Sequence, residues 1–192
     1  MTATMLAQPA PATVEPKMLK KAFGKFPTGV TVVTCRTQDG ERHGATINAF
    51  TAVSMDPPLA QVTLIRGNKI SRYLRDEPFA INILGAGQQK DALTFAGITV
   101  STGPQWARDG EAPALVGNAA TLQCLPWAIH DGGDHEIVLG KVTQIEVNET
   151  EPLSFVGGKF RALGPLMDGN PWDACGDSMA SSWLEATRDH VA

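Results

Sequence analysis

Three groups of residues have the types and spacing to do chemistry. The first lies in Gly44 to Leu64, GATINAFTAVSMDPPLAQVTL. Strand side chains change face at every residue, so a strand from Ala45 to Asp56 would carry Thr46, Asn48, Ser54 and Asp56 on one face, with Phe50 and Ala52. Ala45, Ile47, Ala49, Val53 and Met55 would fall on the other, with Thr51 its only polar member. A polar row of this kind either faces water or lines a ligand site. The second group, Arg66, Lys69, Arg72 and Arg75, packs four cations into ten residues. Such a run is ordinarily a solvated helix face; its functional reading is phosphate binding. The third group is His130, Asp131, Asp134, His135 and Glu136. Imidazole and carboxylate suit several divalent ions, but the Gly132-Gly133 turn would not hold ligands rigidly. A polar hairpin turn accounts for most of this cluster, and no metal is expected.

Composition narrows the classes. A chain of 192 residues is expected to form one domain with short extensions. A formal charge of −4 offers no general attraction to nucleic acid or an anionic membrane, so any basic site must be local. No stretch approaches the ~18 consecutive apolar residues of a membrane span, and MTATMLAQPAPATVEP does not read as a secretory signal. Three cysteines without a CxxC spacing fit a reducing cytoplasm better than a disulfide framework or a zinc site. Cys35 and Cys124 are expected to be buried small apolar residues. The chain has no GxxxxGK[ST], no GxGxxG opening a helix, no GxSxG and no HExxH.

The elements that must position these groups follow from periodicity. Residues 1–15 read as a disordered extension. Pro16 suits a first helical turn, and Met18, Leu19, Ala22, Phe23 and Phe26 recur at helical spacing, with Pro27 and Gly29 ending the helix. Val30 to Cys35 is a β-branched run, and TQDGERHG turns the chain back into the central strand. Asp56-Pro57-Pro58 stops that strand, because Pro cannot donate to a ladder, and Leu59 to Ile65 is the next apolar run. RGNKISRYLRDEP reads as a loop and a short helix. Phe79 to Leu84 is a strand, and GAGQQKDALTFAG a second short helix ending at Gly97. Residues 98–118 form a long irregular excursion. Ala119 to Ile129 and Glu136 to Val147 are two long strands joined through Gly132-Gly133. Leu153 to Val156 is a short strand, and Gly157-Gly158 a turn. From Gly164 to residue 192 runs an extension in which Ser182 and Glu185 could cap a short helix. Many strands and few short helices favour an antiparallel barrel.

Five pieces in order carry a resemblance: FPTGVTVVT at Phe26 to Thr34, GATINAFTAVSMDPPL at Gly44 to Leu59, FAINIL at Phe79 to Leu84, GDHEIVLGKV at Gly133 to Val142, and PLSFVGGKFRAL at Pro152 to Leu163. Together they make the chain resemble the flavin reductase-like family over about Met18 to Leu163. The resemblance implies a mainly β fold over residues 16–163, an FMN-binding split β-barrel of antiparallel, Greek-key type with a few short flanking α-helices. It implies an NAD(P)H:flavin oxidoreductase that moves a hydride from NADH, or NADPH, to FMN or FAD and supplies reduced flavin to a partner flavin-dependent monooxygenase. It further implies a cytoplasmic homodimer acting on small molecules.

By the same resemblance, Thr28, Gly29, Val30, Thr46, Ile47, Asn48, Ala49 and Ser54 line the flavin. Arg66, Asn68, Lys69 and Ser71 lie where the family holds flavin phosphate, and His135 lies near the nicotinamide. Phe160 and Arg161 form an aromatic-basic element beside the site. Two positions depart from the family pattern. Ala49 stands where many relatives carry Ser, and the phosphate loop is poorer in Ser and Thr. The alternatives are a split-barrel oxidase with tightly bound FMN and a non-catalytic flavin carrier.

Overall fold

The computed structural model describes residues 14–107 and 110–165. Helix α1 spans Pro16–Phe23 and β1 Thr28–Gly29. Strands β2 (Thr31–Arg36), β3 (Arg42–Ile47), β4 (Phe50–Met55), β5 (Pro58–Ile65) and β6 (Phe79–Ile83) follow. Helix α2 spans Gln89–Phe95. Strands β7 (Ala120–Gly132), β8 (His135–Val147), β9 (Ser154–Val156) and β10 (Lys159–Arg161) complete the chain. All pairings are antiparallel.

The main sheet has the order β3-β2-β6-β7-β8-β5-β4. Its two edge strands are consecutive in sequence, joined only by Asn48 and Ala49. The three Cα–Cα steps from Ile47 to Phe50 reach at most about 11 Å, so the sheet must roll until its edges meet. The Thr63 amide donates to the Ala49 carbonyl at 3.0 Å, which ties the junction to β5. No rung pairs β3 with β4 directly, so the barrel is split along that seam.

The expected single strand from Ala45 to Asp56 is therefore corrected to two. The chain steps across the seam at Asn48–Ala49, leaving the β2 edge of the sheet and joining the β5 edge. The alternation restarts there. Ala45 is buried, whereas Val53 and Met55, expected on the apolar face, are 45% and 71% exposed.

Inside the barrel, Val33 and Cys35 of β2 pack with Phe79 and Ile81 of β6, Val62 and Leu64 of β5, and Val138 of β8. The Phe79 ring fills the space beside Gly140, where a Cβ would lie 2.5 Å from its Cζ. A second core lies outside the same strands, where Val30, Val32, Leu84, Ala92, Leu115 and Leu153 meet under α2, the 98–118 excursion and β9. Burial on both faces explains why β2 and β6 read as continuous apolar runs rather than alternating ones. Asn82, fully buried between β6 and the excursion, donates to the Val32 carbonyl (2.8 Å) and Thr34 Oγ1 (2.9 Å). Its Oδ1 accepts from the Leu115 amide (2.9 Å) and Asn118 Nδ2 (3.0 Å).

The helix expected in residues 66–77 is a succession of turns. Ser71, Tyr73 and Asp76 amides bond back three residues, as in tight turns, and only Leu74 and Glu77 reach back four. Ile70 and Leu74, four apart as on a helix, are both buried in the barrel core. Helix α1 ends at Phe23, earlier than its apolar pattern, and Phe26 lies in the connection that follows. The hairpin between β7 and β8 turns at Gly133-Asp134, one residue later than expected. Cys35 and Cys124 are buried free thiols; burial pushes each up to about 12, with the Glu77 carboxylate adding to the effect at Cys35. Cys175 and the possible Ser182–Glu185 cap lie outside the described residues. No helix among them is long and apolar enough to cross a membrane.

Candidate flavin site

The seam and the small β1-β9-β10 sheet together form two adjoining concavities. β1 pairs with β9 through Thr28↔Phe155 and Gly29↔Ser154. The Val30 amide then donates to the Leu153 carbonyl (3.1 Å), while the Val30 carbonyl accepts from the Leu84 amide (3.0 Å). These bonds stitch the start of β2 to both sheets and fix the wall opposite Asn48. Between the walls lies a cleft of about 630 Å³ lined by Phe26, Thr28, Gly29, Asn48, Ala49 and Phe50, with Phe23, Thr31, Thr51 and Ile83 beside them. Its surface is mostly apolar with a few polar groups, the character of small-molecule sites. Nothing lies within 4 Å of where a Cβ would stand on Gly29, so a planar ligand can approach the backbone there.

Thr28 Oγ1 is buried without a hydrogen-bond partner. A buried orphan hydroxyl costs stability. A ligand acceptor reaching this hydroxyl would remove that cost. Asn48, exposed at the seam, can donate and accept. An apolar slot with a free hydroxyl, an amide and bare backbone at its rim fits the isoalloxazine ring, an aromatic plane with one polar edge.

The sequence-predicted residues divide between places. Thr28, Gly29, Asn48 and Ala49 line the cleft, and Arg161 lines the adjoining groove. Val30 is buried in the outer core and Ile47 packs against the barrel core. The Thr46 hydroxyl donates to the Ala92 carbonyl (2.7 Å), fastening α2 to β3. Phe160 packs on the outer core and meets Phe155 edge to face, ring centres 5.5 Å apart. Ser54 lies on β4 beyond the register shift at Ala52.

Arg66, Asn68, Lys69, Ser71 and His135 gather instead around the end of β5, where Ile65 pairs with His135. Arg66 spends its guanidinium on the β7–β8 hairpin: Nε donates to the Gly133 carbonyl (3.2 Å), and Nη2 to Asp131 Oδ1 (3.1 Å) and the His135 carbonyl (3.3 Å). The buried Glu136 carboxylate takes Arg75 at 2.5 Å and Arg66 at 3.6 Å. Asn68 and Ser71 close the turn, with Asn68 Oδ1 accepting from the Ile70 amide and Ser71 Oγ donating to the Asn68 carbonyl. Lys69 makes no ion pair among the described residues and is exposed. His135 Nδ1 lies 2.6 Å from Asp134 Oδ1; that hydrogen bond, then the imidazole charge, holds the Asp134 carboxyl below its usual range. Among the described residues no group of three or more His, Cys, Asp or Glu is placed to hold a metal.

Sequence reasoning missed Phe50 and Thr51 as cleft walls, because only the rolled sheet brings β4 opposite β1, and it missed Phe23 and Phe26, which come from the end of α1 and the turn into β1. It also missed the lysines of α1, which had a legible signal in their spacing.

The family model described as "Flavin reductase like domain" matches residues 23–164. An NADH-dependent flavin reductase from Rhodococcus sp is 38% identical over 166 residues, covering 83% of this chain and 93% of that protein. An NADH-dependent FAD reductase from Streptomyces globisporus is 38% identical over 177 residues, covering 85% and 96%. The solved structure of the S. globisporus NADH:FAD oxidoreductase SgcE6, in complex with NAD and FAD fragments, superposes with a TM-score of 0.74 at 37% identity, covering 82% of this chain and all of that one. The reductase subunit HsaB of a flavin-dependent monooxygenase from Rhodococcus jostii (strain RHA1) is 32% identical over 169 residues, covering 81% and 82%. With a family match over residues 23–164 and a shared fold, the chain belongs to the flavin reductase-like family.

Proposed function

We propose that this chain is an NADH-dependent flavin reductase that passes reduced FMN or FAD to a flavin-dependent monooxygenase. The observation that carries this reading is the seam cleft, whose apolar walls, orphan Thr28 hydroxyl and bare Gly29 backbone suit a flavin ring. Bound flavin supplies N5 as the acceptor for the hydride of nicotinamide C4. The chain's own work is to bind and orient. Phe26 and Phe50 bound the slot, Thr28 and Asn48 hydrogen-bond the polar edge of the ring, and Gly29 and Ala49 leave room for two stacked planes. Lys69 attracts a flavin phosphate at the turn after β5, and His135, held by Asp134, orients the nicotinamide donor. Hydride transfer needs no nucleophile or general base from the protein.

The protein acts as a homodimer in the reducing cytoplasm, where Cys35 and Cys124 stay as thiols. Helix α1 is amphipathic yet buries nothing, leaving Met18 60% and Phe23 69% exposed. Met55 of β4 and Trp127 of β7 are 71% and 52% exposed. A second copy covers part of this apolar surface.

The test is NADH and NADPH consumption by the purified chain with FMN, FAD or no flavin added. Consumption that rises with added flavin is expected, with NADH preferred. A protein that stays yellow and ignores added flavin would instead be an oxidase, and flavin binding without turnover a carrier.

A further inference from the structure

The β7–β8 hairpin presents His135 at its turn, and a residue outside the hairpin grips that turn. The Arg66 amide donates to the Asp134 carbonyl (2.9 Å). Its guanidinium reaches the carbonyls on either side, Gly133 through Nε (3.2 Å) and His135 through Nη2 (3.3 Å). Arg66 therefore holds three successive carbonyls of the turn. Nη2 also donates to Asp131 Oδ1 (3.1 Å), the same oxygen that accepts from the Gly133 amide (2.7 Å). Nη1 lies 3.6 Å from the Glu136 carboxylate. A planar fork with fixed donor directions can serve such a set at once, and a compact ammonium cannot.

These bonds set shape more than stability. The Arg66 and Asp131 side chains are 47% and 82% exposed, where an ion pair is worth little. Glu136 is buried, but Arg75 at 2.5 Å holds its carboxylate without help from Arg66. Loss of the Arg66 guanidinium thus leaves no buried charge unpaired, and the barrel should survive it. The turn is the part that depends on it. Gly133 and Asp134 lie beyond the last rung of the β7–β8 ladder, Gly132↔His135. The His135 imidazole is tied to that turn, its Nδ1 2.6 Å from Asp134 Oδ1. A shift of the turn would therefore carry the imidazole and its carboxylate partner together.

We propose that Arg66 is a positioning residue for the nicotinamide donor, acting through the hairpin turn to hold His135 in place, and is not a ligand of the flavin phosphate. The inference rests on the reading of His135 as the residue that orients the donor. Nε and Nη2 of Arg66 are spent on the hairpin, whereas Lys69, exposed and without an ion pair among the described residues, is left for the phosphate. One short segment thus serves both cofactors, residue 66 the donor and residue 69 the flavin.

The test is isothermal titration of the full-length chain with NADH, FMN and riboflavin, paired with the KM for NADH in flavin reduction. The variants are Arg66→Gln, Arg66→Lys, His135→Ala and the double change Arg66→Gln/His135→Ala, with circular dichroism checking the fold. Arg66→Gln is expected to weaken NADH binding and raise its KM about three- to tenfold, while the preference for FMN over riboflavin stays as in the native chain. Arg66→Lys restores the charge but not the fork, so it should bind NADH as weakly as Arg66→Gln. In the His135→Ala background, Arg66→Gln should cause no further loss, because the side chain it acts through is already gone. Native NADH binding by Arg66→Gln, full rescue by Arg66→Lys, or additive losses in the double variant overturns the proposal. A fall in FMN affinity with riboflavin unmoved would make Arg66 a phosphate ligand and overturn it as well. If NADH binding shows the expected differences yet no flavin is reduced, the reductase reading falls and the positioning role stands. A native chain that does not bind NADH overturns both.

Discussion

Replacing Asn82 by Ala tests the packing that holds the wall of the flavin cleft. Asn82 is fully buried and makes four hydrogen bonds, two as donor and two as acceptor. Asn118 Nδ2 keeps bonds to the Leu115 carbonyl and Thr121 Oγ1 when Asn82 is lost, and Thr34 Oγ1 keeps its short bond to the Pro113 carbonyl. The Leu115 amide has no such substitute. A buried orphan N–H costs about 1–3 kcal/mol, and the lost bonds to Val32 and Thr34 roughly 0.5–1.5 kcal/mol each. The sum centres near ~4 kcal/mol. For a domain of this size about 1 kcal/mol moves Tm by ~2–4 °C, so Asn82→Ala should melt about 8–16 °C lower in a calorimetric scan. Native-state amide exchange should also show Leu115 losing protection selectively. A drop below about 2 °C, or an unchanged Leu115 amide, would refute the claim that Asn82 pins the excursion to the sheet.

Gly140→Ala should cost roughly 1–3 kcal/mol or more by urea unfolding, because its new methyl meets the Phe79 ring and Cys124 inside the barrel; a neutral result would mean that the core is loosely packed. In a Cys175→Ser background, Cys35 and Cys124 should not react with a thiol reagent at about pH 8, since thiols held near 12 are only about one part in ten thousand thiolate there. Both should react once the chain is unfolded. Asn48→Ala should weaken flavin binding about 2- to 12-fold, the loss of one hydrogen bond worth roughly 0.5–1.5 kcal/mol, by fluorescence titration. An unchanged titration would remove Asn48 from the site.

Local chemistry made several features legible in the amino-acid order alone. The β-branched Val30–Cys35 run, the strand at Phe79, the hairpin through Gly133 and the free, buried cysteines all follow from side-chain preference and turn geometry. Features that depend on closure of the sheet were not legible. Nothing within Ala45–Asp56 signals that the chain must cross a seam at Asn48–Ala49, since that step is imposed by strands far away in sequence. Ile70 and Leu74 have helical spacing, but the barrel interior claims both without a helix. The charge of the Arg66 run was legible, but the partners of Arg66 were not. Asp131 and Glu136, which take its guanidinium, reach it only through the pairing of β5 with β8. For Thr46, the carbonyl that takes its hydroxyl belongs to α2, an element 46 residues on. The lysines of α1 were visible at i, i+3 and i+4, but their facing wall, β10, is brought there by one backbone bond between Gly157 and Gly24.

The most direct test of the central claim is anaerobic stopped-flow mixing of the flavin-loaded chain with NADH and with NADH deuterated at nicotinamide C4. Direct hydride transfer predicts rapid loss of the oxidised flavin absorbance, slowed several-fold by deuterium on the transferred face. Bleaching that is absent, or that proceeds only at the rate of the same flavin and NADH without protein, would contradict it.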